Sequence, residues 1–411
     1  MKNAIVLGGT SPHVELIRQL KSLDYHVILI DYLNDAPAIK YADEFIREST
    51  LDKEKVLQIA KNRLVELVIS ACIDQANSTC CFVAEKMGLP HPYSYETSLD
   101  VTDKGRMKLK MVTGEIPTSE FQIFHSLGEI NWSKVSFPAV VKPVDCNSSK
   151  GVRRVDDEEM AESYGEAALR LSRTGYGIIE GFNSGIEIQV DCVALENDVK
   201  VIMTRQKKHA VAGNADELNS TGSIIPALCC NGREKELHGI AGKIAEAFEL
   251  KNTPFFYQAI VCEDGKINVL EFAPRVGGGL SYYLLKELAG FDPIKAVIES
   301  FLGNRIVVNK CYPVRCCSTN FLYMEEGRFD HVTGLEELKA RGLIKDYFVT
   351  KSRGAEISGN MRSGNRVASF IVEGENMKDL VEKEIAAYGM VDVIDDHGES
   401  RLRLFPSSRN Y

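Results

Sequence analysis

At 411 residues, 44% hydrophobic, 26% charged and 8% aromatic, the chain has the make-up of a globular protein too long for one core, so two or three domains are expected. A formal net charge of −9 without a basic tract argues against a nucleic-acid partner, and the absence of any apolar run of membrane-span length argues against a membrane one. Eleven cysteines that include three adjacent pairs but no Cys-x-x-Cys do not form a disulfide framework, and eight scattered histidines show no zinc spacing. With Met1-Lys2-Asn3 running straight into a strand in place of a signal peptide, a cytoplasmic location is expected.

From residue 1 to about 98 the pattern alternates β and α. Strands at Ala4–Leu7, Val27–Ile30 and Leu67–Ser70 separate helices at Pro12–Leu23, Leu51–Asn62 and about Ala76–Met87, the pattern of a parallel sheet. Gly8-Gly9-Thr10-Ser11 follows the first strand and Asp31 ends the second. The Gly-x-Gly-x-x-Gly spacing of a dinucleotide fingerprint is missing, so the loop is read as touching a small substrate or as a tight turn. Asp74, at its strand end, is either a carboxylate near a site or a helix N-cap.

The next stretch changes character. Thr102-Asp103-Lys104-Gly-Arg106-Met-Lys108 opens a basic helix to about Val112, capped by Thr102 or Asp103; read alone, its lysines form a solvated face. Phe137-Pro-Ala-Val-Val-Lys142-Pro143 is a buried strand with a lysine near its end. The small polar loop Asp145-Cys-Asn-Ser148-Ser149-Lys150-Gly151 comes next. An ammonium on a rigid strand beside hydroxyl and backbone donors can cradle polyphosphate oxygens, though an ordinary turn would read the same way. Gly177–Val190 reads as two strands joined by a glycine turn, where Glu180 and Phe182 can offer backbone groups and an apolar wall to a base. Alternation sets Glu187 and Gln189 opposite Ile186, Ile188 and Val190. A strand at Val201–Met203 leads into Arg205-Gln206-Lys207-Lys208-His209. A helix follows over residues 233–250, and then a hairpin of Phe255–Cys262 and Lys266–Phe272 turns at Asp264-Gly265.

The most informative run is Asn268-Val-Leu-Glu271-Phe-Ala-Pro-Arg275-Val-Gly277-Gly278-Gly279. Burying Glu271 unpaired in an apolar strand would be costly. Pro274 ends the strand, so Arg275 falls in the turn, and the glycines let backbone N–H groups approach a bound group. The run suits a site for Mg²⁺ and phosphate, or a buried Glu–Arg pair beside a flexible turn. From about Lys310, strand–turn signals at Gly354, Gly359 and Gly364 and a helix near Asn376–Tyr388 read as a smaller α+β domain.

In order, these parts are an Asp-Lys helix, a Pro-x-x-x-Lys-Pro strand, a Ser/Gly loop, Glu-x-Phe-x-x-Gly-x-Glu and Glu-x-x-x-Arg-x-Gly-Gly-Gly. The series resembles the ATP-grasp enzymes, in particular carboxylate–amine ligases such as the L-amino acid ligases, and is similar to biotin carboxylase and the carbamoyl-phosphate synthetase halves. The resemblance covers nearly the whole chain. It implies an α/β fold with an α+β core in three parts: a Rossmann-like pre-ATP-grasp domain over 1–98, an ATP-grasp domain over 99–309 with a lid at about 133–200, and a small α+β domain over 310–411.

Residue by residue, the resemblance implies that Lys104 and Lys142 contact ATP phosphates and that Ser148, Ser149, Lys150 and Gly151 close over them. It implies an adenine hinge at Glu180 and Phe182, an acid after it at Glu187, and nucleotide neighbours at Gln206 and His209. Glu271 matches a carboxylate that bridges Mg²⁺ to phosphate, and Arg275, with Lys142, the group that steadies charge on the transferred phosphoryl. Gly277, Gly278, Gly279 and Arg205 are candidate substrate contacts; Lys207, Lys208 and Arg315 are further candidate carboxylate anchors or surface charges. Two positions depart from the pattern. Gln258 stands where an acid usually shares the metals, and Ala273 where an Asn is usual, which removes one charge and one ligand. The implied reaction uses ATP and Mg²⁺, with Mn²⁺ as an alternative, to join a small carboxylate to a small amine through an acyl phosphate; a homodimer is expected by analogy. The competing readings are a bicarbonate-using carboxylase and an inactive ATP-binding regulatory protein. All of this requires Lys104, Lys142, Glu271 and Arg275 to meet around one triphosphate.

Overall fold

The computed structural model describes residues 2–146, 150–209, 220–308, 315–358 and 363–403. Near the N-terminus, apolar runs line up as a four-stranded parallel sheet in the order Glu44–Arg47, Tyr25–Asp31, Lys2–Leu7, Val65–Ile69. Its strands read as continuous hydrophobic segments because helices cover them. Leu16, Ile17 and Leu20 of Ser11–Ser22 and Val56 and Ala60 of Lys53–Asn62 pack there, and so do Ile294, Val297 and Phe301 from the distant helix Pro293–Phe301. The Gly8-Gly9 loop is a tight turn: Asp31 accepts from Gly9 N at 2.7 Å and from Leu33 N at 2.9 Å, so both of its oxygens serve the backbone.

A second, antiparallel sheet has the order Phe121–Phe124, Gly177–Gly181, Ala139–Pro143, Arg153–Val155, and it packs against the helix Glu158–Leu171. The third sheet carries eight antiparallel strands: Ile267–Ala273, Thr253–Cys262, Gly185–Ala194, Val199–His209, Ser220–Ile225, Cys317–Tyr323, Arg366–Glu373 and Asp346–Val349. The segments on either side of the Phe182–Ser184 turn therefore belong to different sheets. Gly185 makes the crossing possible: at φ +152° it lies so close to the next strand that a Cβ would stand 2.2 Å from Val261 O. Three strands beyond residue 310 extend the eight-stranded sheet, while Glu356–Ile357, Gly327–Thr333 and Asp392–Asp395 form a small sheet of their own. Among the described residues no helix is long and apolar enough to cross a membrane.

The two faces of the large sheet differ in chemistry. On one, Ile188, Val190, Tyr257 and Val269 pack against Leu237, Ile240 and Ile244 of the helix Glu234–Ala247. The same face holds a buried polar knot. Lys208 Nζ donates to Asn320 Oδ1 and to Glu384 Oε1, both at 2.6 Å, and Ser318 Oγ donates to Glu384 Oε2 at 2.7 Å. Lys208 is only 5% exposed, so the knot ties the helix Met377–Tyr388 to a central strand through desolvated charge. Glu384→Ala, which leaves the ammonium buried and uncompensated, is expected to cost about 3–5 kcal/mol in urea denaturation. Lys208→Met with Glu384→Leu should recover most of that loss.

Candidate active site

The opposite face of the large sheet is partly covered by the helix Ser281–Ala289, whose Leu284, Leu285 and Leu288 pack on Val193, Met203 and Ile225; towards the hairpin it turns polar, and four elements bring charged side chains there. Asp103 caps the helix Lys104–Thr113 by accepting from Arg106 N at 2.9 Å, and Lys104 N donates to Val144 O at 2.8 Å, which docks the helix start on the second sheet. That start sets Lys104 and Lys108 one turn apart on one side. Lys104 Nζ donates to Cys146 O at 2.7 Å and lies 3.7 Å from Glu271 Oε2. Lys108 is not on a solvated face: it is 1% exposed and meets Glu180 Oε2 at 2.9 Å, with Thr118 Oγ1 also in reach. Lys142, at the end of its strand, takes the other oxygen of Glu180. Burial pushes the Glu180 carboxyl up, but Lys142 and Lys108 outweigh it and hold it at about 2.

Glu271 reaches the polar face through a backbone irregularity. In the hairpin, Gln258 pairs with Glu271 but Ala259 pairs with Val269, so Leu270 is an extra residue. The bulge inverts the alternation: Val269 stays in the core while Glu271, two residues on, turns to the open side. Its side chain is deep-set yet 41% exposed. Burial raises its carboxyl, and Lys104, Lys142, Lys207 and Arg275 together pull it below the ordinary value. Lys104, Lys142 and Arg275 thus all lie within electrostatic reach of Glu271.

Arg275 does not form the buried pair with Glu271 that was the alternative for this run. Its Nε and Nη2 grip Asp74 at 2.5 and 2.6 Å, and the guanidinium lies 5.1 Å from the Phe256 ring centroid. Asp74 is correspondingly not an N-cap: Ile73 holds that position without a side-chain bond, and Asp74 opens the helix Asp74–Met87 with its carboxylate on Arg275. This bidentate pair links the parallel sheet to the end of the large one. Beside it, the Gly277 backbone runs so close that a Cβ would stand 2.5 Å from Ser281 Oγ and 3.0 Å from Gln189 Nε2, whereas Gly278 and Gly279 face open space.

Other expected contacts have different partners. Arg205 is buried and gives Nε and Nη2 to Asp191 at 3.0 and 2.8 Å and Nη1 to Ser281 Oγ at 3.0 Å, so its guanidinium is a brace and not a free substrate anchor. Glu187 holds Lys207 and accepts from His209 Nε2 at 3.0 Å. Gln206 shares the face of its cross-strand partners Ile188 and Ile224, opposite to Lys207, so Gln206 and His209 are not brought together. Phe182 N donates to Pro138 O at 3.1 Å, and its ring lies 4.8 Å beneath the Arg154 guanidinium. Lys150 is exposed beside Gly151, and Ser148 and Ser149 lie outside the described residues. Arg315 forms an exposed pair with Glu373 at 3.1 Å. Sequence reasoning missed the site role of Lys108; its spacing from Lys104, between the buried Met107 and Met111, was the available signal.

Residues 135–282 match the ATP-grasp domain family, and residues 320–394 match the L-amino acid ligase C-terminal domain 2. Formate-dependent phosphoribosylglycinamide formyltransferase of Rhodococcus jostii is 28% identical over 183 residues, 43% of this chain and 45% of that protein. Phosphoribosylamine–glycine ligase of Streptomyces coelicolor is 24% identical over 411 residues, 95% of each chain. The chain spans about half the length of the formyltransferase relatives it matches (45–46%). Among solved structures, the L-amino acid ligase from Bacillus licheniformis superposes with a TM-score of 0.79 at 21% identity, covering 96% of this chain and 99% of that one. N5-carboxyaminoimidazole ribonucleotide synthetase from Thermotoga maritima gives 0.75 at 20% identity, covering 96% and 100%. At such identities these superpositions speak to the fold.

The site's charges make acid stability a readout. Burial raises the Glu187 carboxyl, but Lys207 and then His209 bring it to about 2, so Glu180 and Glu187 both ionise near 2 against an ordinary 4.5. Between those values the folded chain holds fewer protons than the unfolded one. Their contribution is complete above pH 4.5 and is lost as pH falls towards 2, with a slope of up to roughly 1.4 kcal/mol per pH unit for each group. Urea midpoints across this range should drop steeply for the wild type and less steeply for Glu187→Gln.

Proposed function

We propose that this chain, which belongs to the ATP-grasp superfamily and carries an L-amino acid ligase C-terminal domain, is an ADP-forming ligase that joins a carboxylate to an amine. The observation that carries the reading is that Lys104, Lys142, Lys207 and Arg275 all bear on a single solvent-accessible carboxylate, Glu271, with Lys104 Nζ 3.7 Å from it. Such a cleft favours a polyphosphate, because its fixed cations need no reorganisation to receive the anion. The donor set also fits a hard cation: Glu271 Oε2 stands 3.7 Å from Lys104 Nζ, beyond hydrogen-bond reach, and oxygen is the ligand Mg²⁺ takes. Bound there, Mg²⁺ would supply charge shielding of the phosphates.

The difficulty of the reaction is that one anion must attack another. In the proposed sequence, an oxygen of the substrate carboxylate attacks the γ-phosphorus in line and ADP leaves, giving an acyl phosphate. The amine then attacks the acyl carbon, loses a proton, and phosphate departs with its bonding pair. Lys104 and Lys142 offset the first repulsion, and Arg275, held in orientation by Asp74, faces the charge on the transferred group. The bare turn at Gly277–Gly279 offers N–H donors for a substrate carboxylate. The second sheet, joined to the large one through the Phe182–Ser184 turn, is suited to act as a lid that keeps water from the acyl phosphate. The carboxylase alternative loses support because Gln206 and His209 point to opposite sides of their strand.

With Mg-ATP and mixed amino acids, ADP and phosphate release should depend on a particular acid and rise with its amine partner. Glu271→Ala and Lys142→Met should each lower kcat/KM by about 10²–10³-fold with the fold intact by circular dichroism. ADP release that depended on bicarbonate would transfer the assignment to the carboxylase class, and ATP binding without turnover across a broad acid and amine panel would transfer it to a regulatory protein.

A further inference from the structure

We propose that the cleft takes one divalent cation with its nucleotide, and that the ammonium of Lys207 supplies the second positive charge. The inference rests on reading this cleft as the nucleotide site, and it reassigns Gln258 from metal ligand to lysine holder.

Three observations carry it. First, both ends of the Gln258 amide are engaged within the protein. With its amide oriented to satisfy both ends, the nitrogen donates to Glu271 Oε1 at 2.8 Å and the oxygen accepts from Lys207 Nζ at 2.7 Å. The oxygen that would have ligated a second metal is thereby used by a cation the chain already owns. Second, Lys207 is locked in place. Its ammonium also pairs with Glu187, which accepts from His209 Nε2 at 3.0 Å, and the Lys207 and Glu187 side chains are only 21% and 17% exposed. A lysine held from two sides near the end of a strand is a fixed point charge. Third, the carboxylates are too few for two ions. Gln258 pairs with Glu271 on one side and Gln189 on the other, and Ala273 supplies no donor. Among the described residues no group of three or more His, Cys, Asp and Glu side chains could hold a metal.

The two departures from the family pattern thus have one explanation. An acid at 258 would attract a cation from solution; an amide there instead orients the cation at 207. A dication brought next to that ammonium would be repelled at contact range, and Glu187, the carboxylate paired with the ammonium, is already shared with His209. One cation on Glu271 and one ammonium on Gln258 leave the polyphosphate flanked by charge from both sides.

The test counts cations on the full-length chain. With protein in molar excess over the non-hydrolysable analogue β,γ-methylene-ATP, Mn²⁺ is titrated and the free-ion signal followed by electron paramagnetic resonance. One Mn²⁺ bound per analogue is expected for the wild type, and two for the folded double variant Lys207→Met, Gln258→Glu. Lys207→Met alone should weaken analogue binding at least about tenfold, since a charge aimed at the phosphates is gone. Two Mn²⁺ per analogue in the wild type would overturn the proposal without touching the nucleotide assignment, and that count needs no variant to fold. Failure of the analogue to bind at all, read by calorimetry, would overturn both together.

Discussion

The cationic side of the cleft depends on one buried carboxylate. Glu180 is 4% exposed and is shared by Lys142 from its own sheet and Lys108 from the helix beneath. Two ammoniums at that depth would shed their protons or pull apart without an anion between them, and burial does bring Lys108 below its ordinary value even with Glu180 present. The carboxylate therefore holds both lysines in alignment. It also fixes the distance between the second sheet and the helix Lys104–Thr113, and hence where Lys104 faces Glu271.

The same logic is repeated at other scales on the polar face. Arg275 with Asp74, Arg205 with Asp191, and Lys207 with Glu187 are each a charge paired to another element or to a neighbouring strand. Among the described residues of this face, Glu271 is outnumbered by cations and left open to solvent, which makes it the point where an outside ion and an outside anion have reason to enter. A face built from closed pairs around one open carboxylate is rigid where it braces and available where it binds. Pairing of this kind gains little stability over an apolar face, so its value is positional.

The opposite face uses charge differently. The knot of Lys208, Asn320, Ser318 and Glu384 faces the covering helices, away from the cleft, yet Lys208 is the chain neighbour of Lys207. A single strand thus sends one lysine to each side of the sheet, one anchoring the C-terminal helix and one belonging to the site. Displacement of that strand would be felt on both sides at once.

The sequence by itself determined the local chemistry: the parallel unit from its apolar alternation, the helix that begins after Asp103, the hairpin at Gly265, and the strand end at Pro274 that sets Arg275 in a turn before three glycines. Those features follow from neighbours along the chain, where propensity, capping and turn chemistry act. Only the tertiary structure decided which charges meet. A regular strand would set Val269 and Glu271 on one face, and a single extra residue in the hairpin puts them on opposite faces. Asp74 and Arg275 stand 201 residues apart, and Lys108 and Glu180 likewise find each other only after separate elements pack. The physical reason is that a charge carries no mark of its partner in the sequence. Desolvation selects the partner, and desolvation exists only once the sheets and helices have come together.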